Sequence, residues 1–266
     1  MSLALIAGRG GLPVAVRDAQ SAPPLICALE GAEVASLRVD ISFRLETLGT
    51  FLLLLKERGV MRVCFCGGVD RPKFDPSQLD AETVPLVPLF QKALAGGDDA
   101  ALRILKEIFE RQEFEVVGAD RLLPALMTSE GVFSALQPDA QMLQDAMRGF
   151  AVLEGLAALD IGQACVVGQQ QVLSVEAFGG TDHMLETLPA SAKDMRAVLC
   201  KRMKAGQIRE IDLPTIGPET IEAAHCAGLA GVVIEAGNVI VLDPDRCAVL
   251  AGDYDMVLWS RVGGTT

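Results

Sequence analysis

Glu176-Ala-Phe-Gly-Gly-Thr-Asp182 brings two carboxylates, a hydroxyl and adjacent glycines into one short stretch. It follows an apolar run, 172–175, that reads as a strand. A strand ending this way exposes backbone N–H groups beside oxygen ligands, the combination that holds a phosphate together with a divalent cation. Asp160-Ile-Gly-Gln163 precedes the previous strand, and Ile211-Asp-Leu-Pro-Thr-Ile-Gly217 sets Asp212 in similar surroundings. Asp160, Glu176, Asp182 and Asp212 are therefore candidate ligands of Mg2+ or Mn2+. Such an ion polarises a phosphoryl oxygen and lowers the pKa of bound water. One carboxylate, with Asp212 first and Asp182 and Glu176 beside it, would take the proton of that water. Read singly, Asp160 and Asp182 serve equally well as turn or cap residues, and it is the set that points to chemistry.

Two glycine loops in the first half could meet an anion. Gly8-Arg-Gly-Gly-Leu-Pro13 lies between an apolar run and a helical pattern. Glycines there let backbone amides approach a phosphate, although Pro13 stands where a dinucleotide fingerprint has its third glycine. Cys66-Gly-Gly-Val-Asp-Arg-Pro-Lys73 ends the strongest β-run of that half and carries Arg71 and Lys73 to a sheet edge. Gly96-Gly-Asp-Asp99 reads first as a helix start, because Asp is an ordinary N-cap; metal or ribose contact is its minority reading. Lys201, Arg202, Lys204 and Arg209 form a basic cluster before Asp212. A basic run is usually a solvated face, but beside acidic motifs it could collect phosphate.

The elements that would position these residues follow from periodicity. Strands are expected over 3–7, 24–29, 60–66 and 114–117, with helices over 12–20, 43–58, 98–111 and 119–127. Ser42 is the expected N-cap and Gly59 the stop of the second helix. Strands alternating with helices predict a doubly wound, Rossmann-like parallel sheet over residues 1–130. Residues 131–138 read as a linker. A long helix over 139–159 and strands over 164–167, 172–175, 197–200, 231–235, 239–242 and 255–259 predict a second α/β domain with a mixed sheet over 139–266. A helix over 218–227 stops at Gly228.

Composition narrows the function classes. With 266 residues and 50% hydrophobic content, the chain can bury a substantial core. A net charge of −12 and 5% aromatic residues argue against a nucleic-acid partner. Seven cysteines without a C-x-x-C spacing read as reduced, buried thiols of a cytosolic protein. Two histidines leave little room for a zinc site, and no G-x-S-x-G or Cys–His pattern supports acyl chemistry. The N-terminus lacks a basic n-region, so no signal peptide is expected, and no run reaches the length of a membrane span.

Seven motifs, in order along nearly the whole chain, resemble one family. They are Ile6-Ala-Gly-Arg-Gly-Gly-Leu-Pro13, Gly67-Gly-Val-Asp-Arg-Pro-Lys73, Gly97-Asp-Asp99, Asp160-Ile-Gly-Gln163, Val175-Glu176, Gly180-Thr-Asp182 and Ile211-Asp-Leu-Pro-Thr-Ile-Gly217. Together they resemble the metal-dependent UDP-2,3-diacylglucosamine diphosphatases of lipid A biosynthesis, the type unrelated to calcineurin-like phosphoesterases. The resemblance implies Mg2+-dependent hydrolysis of that lipid-linked UDP-sugar to UMP and 2,3-diacylglucosamine 1-phosphate (lipid X). It implies two domains closing on the substrate, a cytoplasmic enzyme in transient contact with the inner membrane surface, and a homo-oligomer. Substrate contacts carry over to Gly8, Gly10, Gly11, Leu12, Gly67, Gly68, Lys73, Gly97, Asp98, Gln163, Gly180, Thr181 and Thr215. Catalytic and metal roles carry over to Asp160, Glu176, Asp182 and Asp212. Lys204-Ala-Gly-Gln207 departs from the family's Lys-Pro-x-Gln. The acyl chains need apolar walls, for which 122–127, Val132, Phe133, Met142, Met147 and Phe150 are candidates, though most read as core. Two rival readings are a nucleotide-sugar sensor, which has no need of four carboxylates, and a dinucleotide-dependent oxidoreductase, which the broken glycine fingerprint disfavours.

Overall fold

A computed structural model describes residues 2–34, 36–70, 72 and 74–263. The chain divides into two compact units, Met1–Pro124 with Ile208–Asp212, and Ala125–Gln207 with Leu213–Thr266.

In the first unit β1 (Ser2–Ala7), β2 (Leu25–Leu29), β3 (Ile41–Phe43), β4 (Val60–Cys66) and β5 (Glu115–Val116) form a parallel sheet in the order β3-β2-β1-β4-β5. The strand order reverses between β1 and β4, so their C-terminal ends frame the crevice where open α/β sheets bind ligands. Leu3–Ala7 is buried throughout, as expected of a central parallel strand. Helices α1 (Leu12–Asp18), α2 (Leu48–Glu57), α3 (Val87–Leu94), α4 (Asp98–Arg111) and α5 (Ala119–Leu122) complete the unit.

Three expectations for this half need correction. Ser42 is not a helix cap but the middle of β3, and α2 starts later, after a 3-10 turn over Leu45–Thr47. The helix expected over 119–127 stops at Leu122, because Pro124 bars the preceding residue from helical geometry. Helix α3 lies in a segment for which the sequence predicts no element.

The second unit holds β6 (Gly131–Val132), β7 (Ala164–Gly168), β8 (Gln171–Val175), β9 (Val198–Lys201), β10 (Thr215–Ile216), β11 (Gly231–Glu235), β12 (Ile240–Val241) and β13 (Val257–Arg261). Its main sheet is mixed, ordered β6-β13-β11-β9-β7-β8, while β10 and β12 pair separately. Helices α6 (Ala140–Ala157), α7 (Gly180–Glu186), α8 (Pro218–Cys226) and α9 (Pro244–Asp253) accompany it. The segment 131–138 is not a bare linker. It supplies edge strand β6 against β13, and Ser134 Oγ accepts a hydrogen bond from the Leu258 N–H at 2.9 Å. Met142, Ala146, Phe150 and Leu153 recur along one face of α6 and bury in a core with β7 and β9. Met142 and Phe150 are therefore core residues rather than walls of an acyl groove. Six cysteines are buried and Cys226 is exposed; burial pushes the Cys27 and Cys247 thiols up to about 12.

The β7–β8 hairpin turns on Gln169 and Gln170, both left-handed at φ 49° and 63°. Two-residue turns of that form usually contain Asn and Gly. Here Asp145 of α6, wholly buried, compensates. Its carboxylate accepts the N–H groups of Gln169 at 3.0 Å and Gln170 at 2.6 Å, and the side-chain amides of Gln170 and Gln141. Replacing Asp145 by Ala removes the one acceptor that those four donors share and releases the left-handed turn from α6. Asp145→Ala is expected to cost about 2–4 kcal/mol, read as a lower urea midpoint with an unchanged m-value.

Candidate functional site

In the first unit the two glycine loops grip one another. The Gly8 N–H donates to Cys66 O at 2.9 Å, Arg9 N–H to Gly68 O at 2.7 Å, and Gly68 N–H to Arg9 O at 3.1 Å. A Cβ on Gly8 would stand 2.3 Å from Gly68 O, and one on Gly67, whose φ is +89°, 2.6 Å from Arg9 O. These positions are glycine because two backbones touch. The Gly8 and Gly68 amides are thus engaged by protein carbonyls rather than turned toward an anion. Gly10 is left-handed at φ +90°, Gly11 is the N-cap of α1, and Leu12 is buried in its first turn. Arg9 pairs with Asp70 and holds that carboxyl below the usual range. Arg71 and Lys73 lie outside the described residues, as does the side chain of Asp98 at the start of α4, whose N-cap is Gly97.

Asp212 also belongs to the first unit, through the segment Ile208–Asp212. Arg209 Nε donates to Asp120 Oδ2 at 2.8 Å, Lys106 Nζ donates to Glu210 Oε1 at 3.2 Å, and Ile211 packs on the first unit's core. The Asp212 N–H donates to Ile208 O at 2.9 Å. Through its pair with Asp120, Arg209 helps to tether the Asp212 segment.

The second unit gathers the other polar residues at one edge of its sheet. Strands β7 and β9 pair antiparallel and bring Ala164 opposite Lys201, so the start of β7 and the end of β9 share that edge. Glu176, just past β8, accepts the Gln163 N–H on Oε2 at 3.0 Å and the Thr181 hydroxyl on Oε1 at 3.2 Å. Lys201 Nζ donates to the same hydroxyl at 3.0 Å. The result is a directed chain, ammonium to hydroxyl to carboxylate, braced by a backbone amide. Gly162, left-handed at φ +58°, permits it, since a Cβ there would stand 2.2 Å from Glu176 O. Beside the chain, Lys204 Nζ donates to Asp160 Oδ1, and Lys204 N–H to the Gln207 side chain at 2.9 Å. Asp182 is exposed in the first turn of α7, which opens at Gly180. Thr215 lies in β10, where its hydroxyl donates to Leu213 O at 3.3 Å.

The basic cluster resolves into separate duties. Arg202 pairs with Glu235 at 3.2 Å and Glu154 at 3.3 Å and lies over the Phe150 ring, which binds the end of β9 to α6. Lys204 serves Asp160 and Arg209 serves Asp120. Lys201 reaches the candidate site itself and is only 8% exposed. In the sequence Lys201 belongs to a basic run open to two readings, a solvated face or a collector of phosphate, and its position at the end of the apolar run 197–200 is the signal that sets it apart.

The donor chemistry of these carboxylates suits Mg2+ or Mn2+. Their assembly does not supply a cage. Among the described residues no three His, Cys, Asp or Glu side chains come together as an ion site. Asp160 and Glu176 are engaged by protein donors, and Asp212 belongs to a different unit from Asp160, Glu176 and Asp182.

Comparison with known proteins adds the lineage. Residues 2–126 match the LpxI N-terminal domain and residues 129–259 the LpxI C-terminal domain. The chain is 34% identical to the UDP-2,3-diacylglucosamine pyrophosphatase LpxI of Caulobacter vibrioides, over 97% of this chain and 95% of that protein.

The tether of the Asp212 segment carries a pH dependence. Burial pushes the Glu210 carboxyl up, but its backbone N–H and the Lys106 ammonium outweigh this and hold it below its ordinary value. Its folded value being depressed, Glu210 contributes stability that is complete above the ordinary glutamate range and lost as pH falls through the depressed value. Because the pair is partly exposed, the effect is small, roughly a two- to five-fold loss of amide protection at Asp212. Hydrogen exchange should show that loss on acidification in the native chain, and Glu210→Gln should abolish the acid step while showing reduced protection at neutral pH.

Proposed function

The chain belongs to the LpxI family, and on that premise we propose that it hydrolyses the diphosphate of UDP-2,3-diacylglucosamine in lipid A biosynthesis. The products are UMP and 2,3-diacylglucosamine 1-phosphate. The observation that carries this reading is end-to-end similarity to a protein of that activity, at 34% identity over 97% of the chain.

The site chemistry supports it. Cleaving a phosphoric anhydride depends mainly on positioning and on charge stabilisation at the phosphoryl oxygens. Lys201 provides a compact positive charge already stripped of most of its water. Thr181 offers a hydroxyl oriented by Lys201 on one side and Glu176 on the other. Glu176, held by Gln163 N–H, keeps that hydroxyl's proton pointed away from an incoming phosphate, so that Lys201 carries the attraction. Asp182 and Asp212 are the carboxylates proposed to accept the proton of the attacking water. Dependence on Mg2+ or Mn2+ is part of the proposal, on donor chemistry alone. A cytoplasmic location, transient contact with the inner membrane surface and a homo-oligomeric state are proposed on family likeness. No helix among the described residues is long and apolar enough to cross a membrane.

Release of UMP from UDP-2,3-diacylglucosamine tests the reading directly, with and without added Mg2+ and with EDTA. Turnover abolished by EDTA and restored by Mg2+ is the expected result. Thr181→Val, which keeps the shape but removes the hydroxyl, should lower kcat by about 10- to 1000-fold, and Thr181→Ser should retain most activity. Asp212→Ala should lose most turnover while its circular dichroism stays native. Near-normal turnover in Asp212→Ala would remove that residue from the chemistry, and absence of UMP release by the native chain would end the proposal.

A further inference from the structure

We infer that the loop 177–180 of the second unit is a membrane wedge, with Phe178 entering the surface of the bilayer that carries the substrate and Leu159 and Ile161 beside it. The inference rests on the function proposed above and adds how the protein meets its lipid substrate.

Phe178 is 106% exposed and Leu159 66%, the two most exposed large apolar side chains among the described residues. Both issue from the candidate site. Phe178 stands two residues after Glu176. Leu159 and Ile161, the latter 37% exposed, flank Asp160. Their two loops are joined at the base, since the Gln163 N–H donates to the Glu176 carboxylate and Gly162 abuts the Glu176 carbonyl.

The loop is built to hold the ring outward. The Gly180 N–H donates to Ala177 O at 3.0 Å and closes the turn. Gly180 is left-handed at φ +76°, and a Cβ on Gly179 would stand 2.4 Å from the His183 ring. Both glycines are thus required by the turn, and neither brings a side chain to cover Phe178.

A bilayer fits this surface better than a protein partner. The proposed substrate is anchored by acyl chains, so its diphosphate lies at headgroup depth. A site whose base is Glu176 and whose tip is an apolar ring reaches that depth when the ring enters the headgroup–acyl boundary, where burial of Phe removes its apolar surface from water. The net charge of −12 works against attraction of the chain as a whole to an anionic surface, so the wedge is expected to act by apolar insertion. That sets the salt dependence: binding by insertion persists as salt is raised, whereas electrostatic binding fades.

The test uses the full chain and vesicles of phosphatidylethanolamine with a minority of phosphatidylglycerol, read by co-sedimentation. Phe178→Ser should lower vesicle partitioning roughly ten- to hundred-fold, Phe178→Trp should preserve it, and added salt should not weaken it. Because the side chain makes no core contact, circular dichroism should be native in both variants. UMP release should fall in Phe178→Ser when the substrate is embedded in vesicles and stay near native when it is dispersed in detergent. Equal vesicle binding by Phe178→Ser and the native chain would overturn the inference. So would a change in oligomeric state without a change in vesicle binding, which would assign the patch to a second copy of the chain. Failure of the native chain to release UMP from either form would instead sink the proposed function, leaving vesicle binding as a separate result.

Discussion

The contact on which the second unit's polar edge depends is that of the Lys201 ammonium with the Thr181 hydroxyl. Lys201 ends a strand whose other residues are all buried. An ammonium left there without partners would carry a desolvation penalty of several kcal/mol. Thr181 meets it, and Thr181 can do so only because Glu176 takes the hydroxyl's single proton. Glu176 in turn is aimed by the Gln163 N–H, which requires the left-handed Gly162 alongside. Removing one link leaves the next without a defined orientation, so the chain behaves as one network.

The fold was legible because its signals are local. Apolar runs ending in glycine marked β1 and β4, and a helical apolar period after Asp139 marked α6, whose cap is the Asp139 carboxylate on the Met142 N–H. Short elements gave no such signal. Strand β6 consists of Gly131 and Val132, and it exists because β13 offers an edge to pair with. Helix α7 holds only Gly180–Glu186 and begins with glycine, threonine and aspartate, which read as loop residues.

The site was legible by residue type and less so by partnership. Glycine in the loops after β1 and β4 suggested open amides, yet the same residue type serves two backbones in contact, and sequence cannot distinguish the two uses. Basic residues at 201, 202, 204 and 209 formed one cluster in sequence. In the structure they diverge, because strand and turn geometry send Lys201 to the Thr181 hydroxyl, Arg202 to Glu235, Lys204 to Asp160 and Arg209 to Asp120. Asp212 belongs to the first unit because the residues before it are held there, Arg209 by Asp120, Glu210 by Lys106 and Ile211 by the apolar core.

On the proposed function, the burial of Lys201 also bears on how an acidic protein would hold a phosphate. A surface lysine must shed water and fix a flexible stem before it can grip a phosphoryl oxygen, and salt screens it. Lys201 has met both costs in folding, with its stem inside an apolar strand and its ammonium placed by Thr181. A phosphoryl oxygen arriving there gains attraction in a medium of low dielectric without reordering the lysine, which is the condition under which a fixed charge favours a developing anion more than a resting one. The protein's overall negative charge then matters little at this point, since the field at a buried ammonium is set by its nearest neighbours.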